Sequence, residues 1–157
     1  MKTTKSLFDQ TVEKWVLELL STPSEAFGDL PPCPYAKKAW KENNVVVKKF
    51  VNYNQFEKDI ENVDEKVMIF YFDYPQLPSL KMLVNIVSMY KKRRPDLIFY
   101  DEHPDSVEEV AGVRLNSGMT AIIVQDRKDL LRKRAELQKT GYYDNWTPKM
   151  KEKIFGS

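Results

Sequence analysis

Two side chains in this sequence could do nucleophilic chemistry together. Cys33 and His103 are the sole cysteine and the sole histidine among 157 residues. Cys33 stands in the run Pro31-Pro32-Cys33-Pro34-Tyr35, and Pro34 fits the first turn of a short helix, where its missing N–H is not needed. A thiolate in that position faces unpaired backbone N–H groups and the positive end of the helix dipole. Both lower the thiol pKa, and the thiolate is the reactive form. Lys37 and Lys38 add positive charge one turn on. His103 follows an apolar run that reads as a strand, and open α/β sheets place ligands beyond the carboxyl ends of their strands. Beside Cys33, the imidazole would serve as the base that activates the thiol. Asp101, Glu102 or Asp105 would orient it. Cys33, His103, Asp101 and Glu102 are therefore the candidate catalytic group. Taken singly, each of the first two also fits a plainer role: a small buried hydrophobe among prolines, and a solvated ring in a polar loop.

A second cluster lies at Arg114-Leu115-Asn116-Ser117-Gly118. Arg, Asn and Ser on a glycine-bearing loop offer donors for a phosphate or carboxylate, and a plain turn is the competing reading. Lys37, Arg114, Asn116 and Ser117 are the candidate substrate-binding residues, and the implied substrate is a small anion. The loop is neither a Walker nor a dinucleotide motif, so no cofactor is expected. Cys, His and carboxylates can hold zinc or iron. The chain has no close ligand pair such as CxxC or HxxxH, which ranks a metal site below the thiol reading. The basic runs Lys91 to Arg94 and Arg127 to Arg134 fit solvated helix faces better than a nucleic-acid footprint.

The elements that must position these groups centre on residues 66–92. Val67 to Phe72 is a continuous apolar run bounded by Lys66 and Asp73, which suits a strand covered on both faces. Tyr74 to Pro78 is a turn with two prolines. Ser79 to Lys92 carries apolar residues at 80, 82, 83, 84, 86, 87, 89 and 90, too broad a set for a surface stripe, so a largely buried helix is expected. Before this unit come an amphipathic helix over 5–20, an irregular proline-rich segment over 21–34, a short helix over 35–42, a strand over 45–50 and a helix opened by Asn52 or Tyr53. After it come a strand over 97–100, a polar loop from Asp101, a short helix over 106–110, turns over 112–118 and a strand over 120–124. A charged helix over 126–139 follows, with Leu130, Leu131, Ala135 and Gln138 near one face and Gly141 as its C-terminal cap. A last helix starts at Thr147-Pro148, and Tyr142, Tyr143 and Trp146 are expected to dock the tail on the core.

The alternation of strands and helices predicts crossover connections. The expected fold is α/β: a central, mainly parallel, four-stranded sheet with helices on both faces, an extra N-terminal helix and a C-terminal tail. The third and fourth strands can pair as an antiparallel edge, an arrangement that is thioredoxin-like. No linker composition divides the chain, so residues 1–157 read as a single domain. It comprises an N-terminal helical segment (1–42), an α/β core (43–140) and an aromatic tail (141–157). Hydrophobic residues make up 42% and charged residues 31%, a soluble globular balance. A net charge of +2 argues against a dedicated nucleic-acid binder. No apolar run approaches the roughly 20 residues of a membrane span. One cysteine forbids an internal disulfide, and the first ten residues lack a signal peptide's apolar core, so a cytoplasmic setting is expected.

Two resemblances add to this. From Val67 to Val124 the order of strand, proline turn, helix and LIFY strand resembles a thioredoxin-fold core. The two cysteines of that fold's active site would fall near Leu77 and Leu80, so the resemblance implies fold without dithiol chemistry. Cys33-Pro34-Tyr35-Ala36-Lys37, with His103-Pro104 after a strand, resembles an uncharacterised bacterial family marked by a Cys-Pro-aromatic-Ala-Lys motif and a His-Pro pair. That resemblance implies that Cys33 and His103 share one site. Cys33-Pro34-Tyr35 is also similar to a glutaredoxin active site, with Ala36 where a second cysteine would stand. Two functions are expected from different classes. One is a thiol-dependent enzyme using Cys33 with His103 on a small anionic substrate. The other is a non-catalytic thioredoxin-fold adaptor that binds a protein partner.

Overall fold

The computed structural model describes residues 7–110 and 112–155. Helix α1 (Leu7–Lys14) runs on into a wider π-helical turn at Trp15–Leu19. Next come α2 (Ala36–Lys41), β1 (Val45–Lys49), α3 (Tyr53–Asp59) and β2 (Val67–Tyr71). Then follow α4 (Leu80–Arg93), β3 (Leu97–Glu102), β4 (Ala121–Asp126), α5 (Arg127–Gln138) and α6 (Pro148–Phe155). The starts of three of these helices are fixed by side-chain caps that satisfy orphan N–H groups. Asn52 accepts from the Gln55 amide at 2.8 Å, Ser79 from Met82 at 3.2 Å and Asp126 from Asp129 at 3.0 Å. Residues 106–110 form no helix, and β3 extends through Asp101 and Glu102 instead of ending at Tyr100. On α5 the buried residue is Leu137, while Leu131 is exposed.

The sheet order is β1-β2-β4-β3. β1 and β2 are parallel, with Val45 opposite Val67. β2 and β4 are antiparallel, with Ile69 opposite Ile123, and so are β3 and β4, with Phe99 opposite Val124. The sheet is therefore mixed, a correction to the mainly parallel one expected. The cause can be read in the strands themselves. Central positions need apolar residues on both faces. β2 offers Met68, Ile69 and Phe70, and β4 offers Ala121 to Val124, all buried. β1 ends in Lys48 and Lys49 and β3 ends in Asp101 and Glu102, and charged residues blunt a sheet edge. β4 therefore lies between β2 and β3, and α4 carries the chain across it.

The two faces have separate cores. One joins Met68, Phe70, Phe72, Leu97, Phe99, Ile122 and Val124 to Phe56 of α3 and to Leu83, Val87 and Tyr90 of α4. The other joins Ile69, Ala121 and Ile123 to Val12, Val16 and Ala36 of the N-terminal helices, with Cys33 against it. A third cluster packs Tyr142, Tyr143 and Trp146 on Phe27 and Leu137, so the tail docks on the core as its aromatics suggested.

Candidate functional site

Cys33 sits where the chain turns into α2. Its amide donates to the Leu20 carbonyl at 3.0 Å, and its carbonyl accepts from Ala36 at 3.1 Å. The backbone N–H groups of Tyr35 and Ala36 reach the thiol, as the Pro34 turn suggested, and they lower its pKa. Burial outweighs them and pushes the thiol up from its ordinary value. The cation that acts on it is Lys133 of α5. Lys37 and Lys38 are exposed, and Lys38 pairs at 3.9 Å with Glu42. The thiol also lies among Tyr100, Tyr142 and Tyr143, whose phenols are raised first by burial and further by Cys33. Arg134 donates to the Tyr100 hydroxyl at 2.7 Å, and the Tyr142 hydroxyl donates to the Pro32 carbonyl. Sequence reading missed this phenol ring, because its members come from β3 and from the tail.

His103 is buried, with both ring nitrogens engaged. Nδ1 accepts from the Asp105 amide at 3.1 Å, which leaves Nε2 to donate to the Pro78 carbonyl at 3.1 Å. Pro78 precedes α4, whose Leu83, Val87 and Tyr90 pack in the core that Leu97 and Phe99 share. Cys33 lies against the opposite face, with Ile69 and Ile123. The sheet thus runs between the two side chains, and the structure does not bring them together. Strand alternation puts Asp101 on the α4 side and Glu102 on the Cys33 side. The imidazole takes its orientation from Asp105 and Pro78, not from either of these carboxylates. Glu102 accepts from the Ser117 amide and hydroxyl, both at 3.3 Å. Burial, with smaller contributions from Asp101 and Glu108, pushes its carboxyl up to about 7.

The Arg114 loop spends its donors on its own backbone. Arg114 donates to the carbonyls of Pro104 at 3.2 Å and Ser106 at 2.8 Å. Asn116 donates to the His103 carbonyl at 2.7 Å and accepts from the Gly118 amide at 2.7 Å. Trp15 donates to the Leu115 carbonyl at 2.8 Å, tying the loop to the N-terminal helices. Lys37 lies apart on α2. Among the described residues no three His, Cys, Asp or Glu side chains converge as a metal set.

An open concave feature lies between α3 and α4. It is a groove of about 400 Å³ with Tyr53 and Glu57 on one wall and Ile86, Met89 and Arg93 on the other. α4 buries Leu83, Val87 and Tyr90 against the sheet, but Met82 is 58% exposed and Met89 38%. Tyr53 across the groove is 48% exposed. The expectation of a largely buried helix is thus corrected: Leu83, Val87 and Tyr90 are covered and Ile86 packs partly against the same core, while Met82 and Met89 are left outside it. That helical spacing was visible in the sequence. Glu57 accepts from the Tyr90 hydroxyl and from Arg93, each at 3.1 Å. No described helix is long and apolar enough to cross a membrane. No protein-family model, curated protein or solved structure matches the chain significantly.

Proposed function

We propose that this protein is a non-catalytic binding module that takes a segment of a protein partner into the α3–α4 groove. The observation that carries this reading is the exposure of Met82 and Met89 on α4, with Met89 and the half-buried Ile86 lining a concave surface. Flexible methionines suit a surface that repacks around a guest. The arrangement at Cys33 supports the same reading, because a half-buried thiol with a raised pKa and no imidazole beside it is a poor nucleophile. In this reading Cys33-Pro34-Tyr35-Ala36-Lys37 and His103-Pro104, the residues that resemble a bacterial family, are anchors of the fold. The thioredoxin likeness rests on the β2–proline turn–α4 unit and the antiparallel β3–β4 pair, and binding at α4 does not require it. A reducing, cytoplasmic setting accords with the lone thiol.

The test is a selection of displayed helical peptides of roughly 15 residues against the folded protein. Binding by the enriched peptides is expected to fall roughly tenfold or more in Met89→Glu, with the urea midpoint held, and to persist in Cys33→Ser. In parallel, alkylation of Cys33 should reach its half-point above the ordinary thiol range and be unmoved by His103→Gln. Enriched peptides indifferent to Met89, or a thiol half-point below that range that rises in the histidine variant, would return the function to Cys33.

A further inference from the structure

We infer that the groove's partner is an acidic amphipathic helix, a conclusion that rests on the binding reading above. The geometry points to a helix before an extended strand. Ile86 and Met89 line the groove with Tyr53 opposite, exposed Met82 stands one turn before Ile86 on the same side of α4, and a helix laid alongside meets such spacing with its own i, i+3, i+4 and i+7 positions. Charge then narrows the partner. α4 carries Lys81, Lys91, Lys92 and Arg93 and no Asp or Glu, and Lys58 of α3 is exposed nearby in sequence to the groove wall. The one carboxylate lining the groove, Glu57, is already held by Arg93 and the Tyr90 hydroxyl. Arg93 is spent on Glu57, so the flanks of a guest meet the exposed Lys81, Lys91 and Lys92 at the two ends of α4, and no carboxylate lining the groove is uncommitted. Asp and Glu flanking an apolar face complement that rim, whereas Lys and Arg meet like charge. A basic helix with exposed apolar residues can also lie on an anionic membrane. The lining sets Tyr53 and Glu57 of α3 across from Ile86 and Met89 of α4, a two-sided surface that suits a helix seated between its walls.

The test uses a peptide library with a fixed apolar stripe and with Glu, Gln or Lys allowed at the flanking positions, selected against the whole chain. Glu-rich flanks are expected to win. They should bind roughly tenfold tighter than their Gln counterparts, several surface pairs each adding a small increment. The advantage should shrink as salt rises from about 0.05 to about 0.5 M and be lost in the Lys91→Glu/Lys92→Glu double variant. Winning peptides with Gln or Lys flanks that still depend on Met89 would overturn the acidic partner and leave the groove reading standing. Peptides that win without depending on Met89 would sink both. Vesicles containing phosphatidylserine that bind the chain through Met82 and Met89, and displace the peptides, would also overturn the inference in favour of a membrane surface.

Discussion

Glu102 is a carboxyl whose protonation the fold controls. Burial moves it from an ordinary 4.5 to about 7, against the pull of two hydrogen bonds from Ser117. The folded chain thus keeps this proton over a range in which the unfolded chain has released it. The stability from this group is complete below pH 4.5, is lost as pH rises towards 7, and is absent above that. The loss is at most about 3 kcal/mol. Glu102→Gln keeps an oxygen for Ser117 and has no proton to lose. The difference in unfolding free energy between the variant and the parent should grow in the variant's favour from pH 4.5 to 7 and then level off. Urea unfolding at a series of pH values reads it directly, and a difference that stays flat with pH would refute the burial account. His103 shows why residue roles were only half legible in the sequence. Its place after a strand was readable. Which way the ring pointed depended on strand alternation, and so on where β3 stops. Reading the strand as ending at Tyr100 left Asp101 to His103 as a free loop, able to face either side.

At the scale of elements, α4 divides into two stripes of unequal consequence. Leu83 has no exposed surface and sits between β2, β4 and α3 in the first core. Leu83→Ala should cost about 2–5 kcal/mol, the lost burial plus the cavity left behind. Met82→Ala, one residue away and 58% exposed, should change stability by no more than about 0.5 kcal/mol. Chemical denaturation separates the two, and a large cost at Met82 would mean that the stripe is already covered within the monomer. Helix starts were legible where a capping residue announces them: Asn52 and Thr147, read as starts in the sequence, accept from the amides of Gln55 and Met150 in the structure. The breadth of the α4 pattern was legible too. What it meant was not, since a broad apolar face reads the same whether the fold covers it or leaves it for a partner. Val107 and Val110 suggested a helix that the chain does not form. The carbonyls of His103, Pro104 and Ser106 are held instead by Arg114 and Asn116, whose bonds offer an alternative to helical pairing.

For the whole molecule, the tail and the proline-rich segment form one joint. Gly28 has φ +66°, and a Cβ there would stand 2.1 Å from the Gly141 carbonyl oxygen, a backbone atom. Gly28→Ala therefore meets both an unfavourable conformation and a clash, together worth more than about 2 kcal/mol. The expected result is faster tryptic cleavage after Lys139 and Lys149 as Tyr142 and Trp146 lift from Phe27, with cleavage within the sheet unchanged. Equal rates in parent and variant would mean that the joint does not hold the tail. Neither glycine advertised this contact in the sequence, because the two are far apart along the chain and meet only in the folded molecule. Strand order was hidden in a similar way. The apolar runs of β2 and β4 and the charged ends of β1 and β3 marked centre and edge, but the alternation of strand and helix suggested a mainly parallel sheet and named no order. The order that resulted bears on how the chain is made. β3 joins the sheet only through β4, so Leu97 and Phe99 wait for a neighbour that the ribosome has yet to deliver. A nascent chain that has presented only residues through Glu102 carries β1, β2 and β3 but lacks the strand that lies between β2 and β3 in the sheet. At that place synthesis and assembly run in opposite orders, and the exposure of apolar strands to chaperones or to other nascent chains is set by how quickly residues 103–126 clear the exit tunnel.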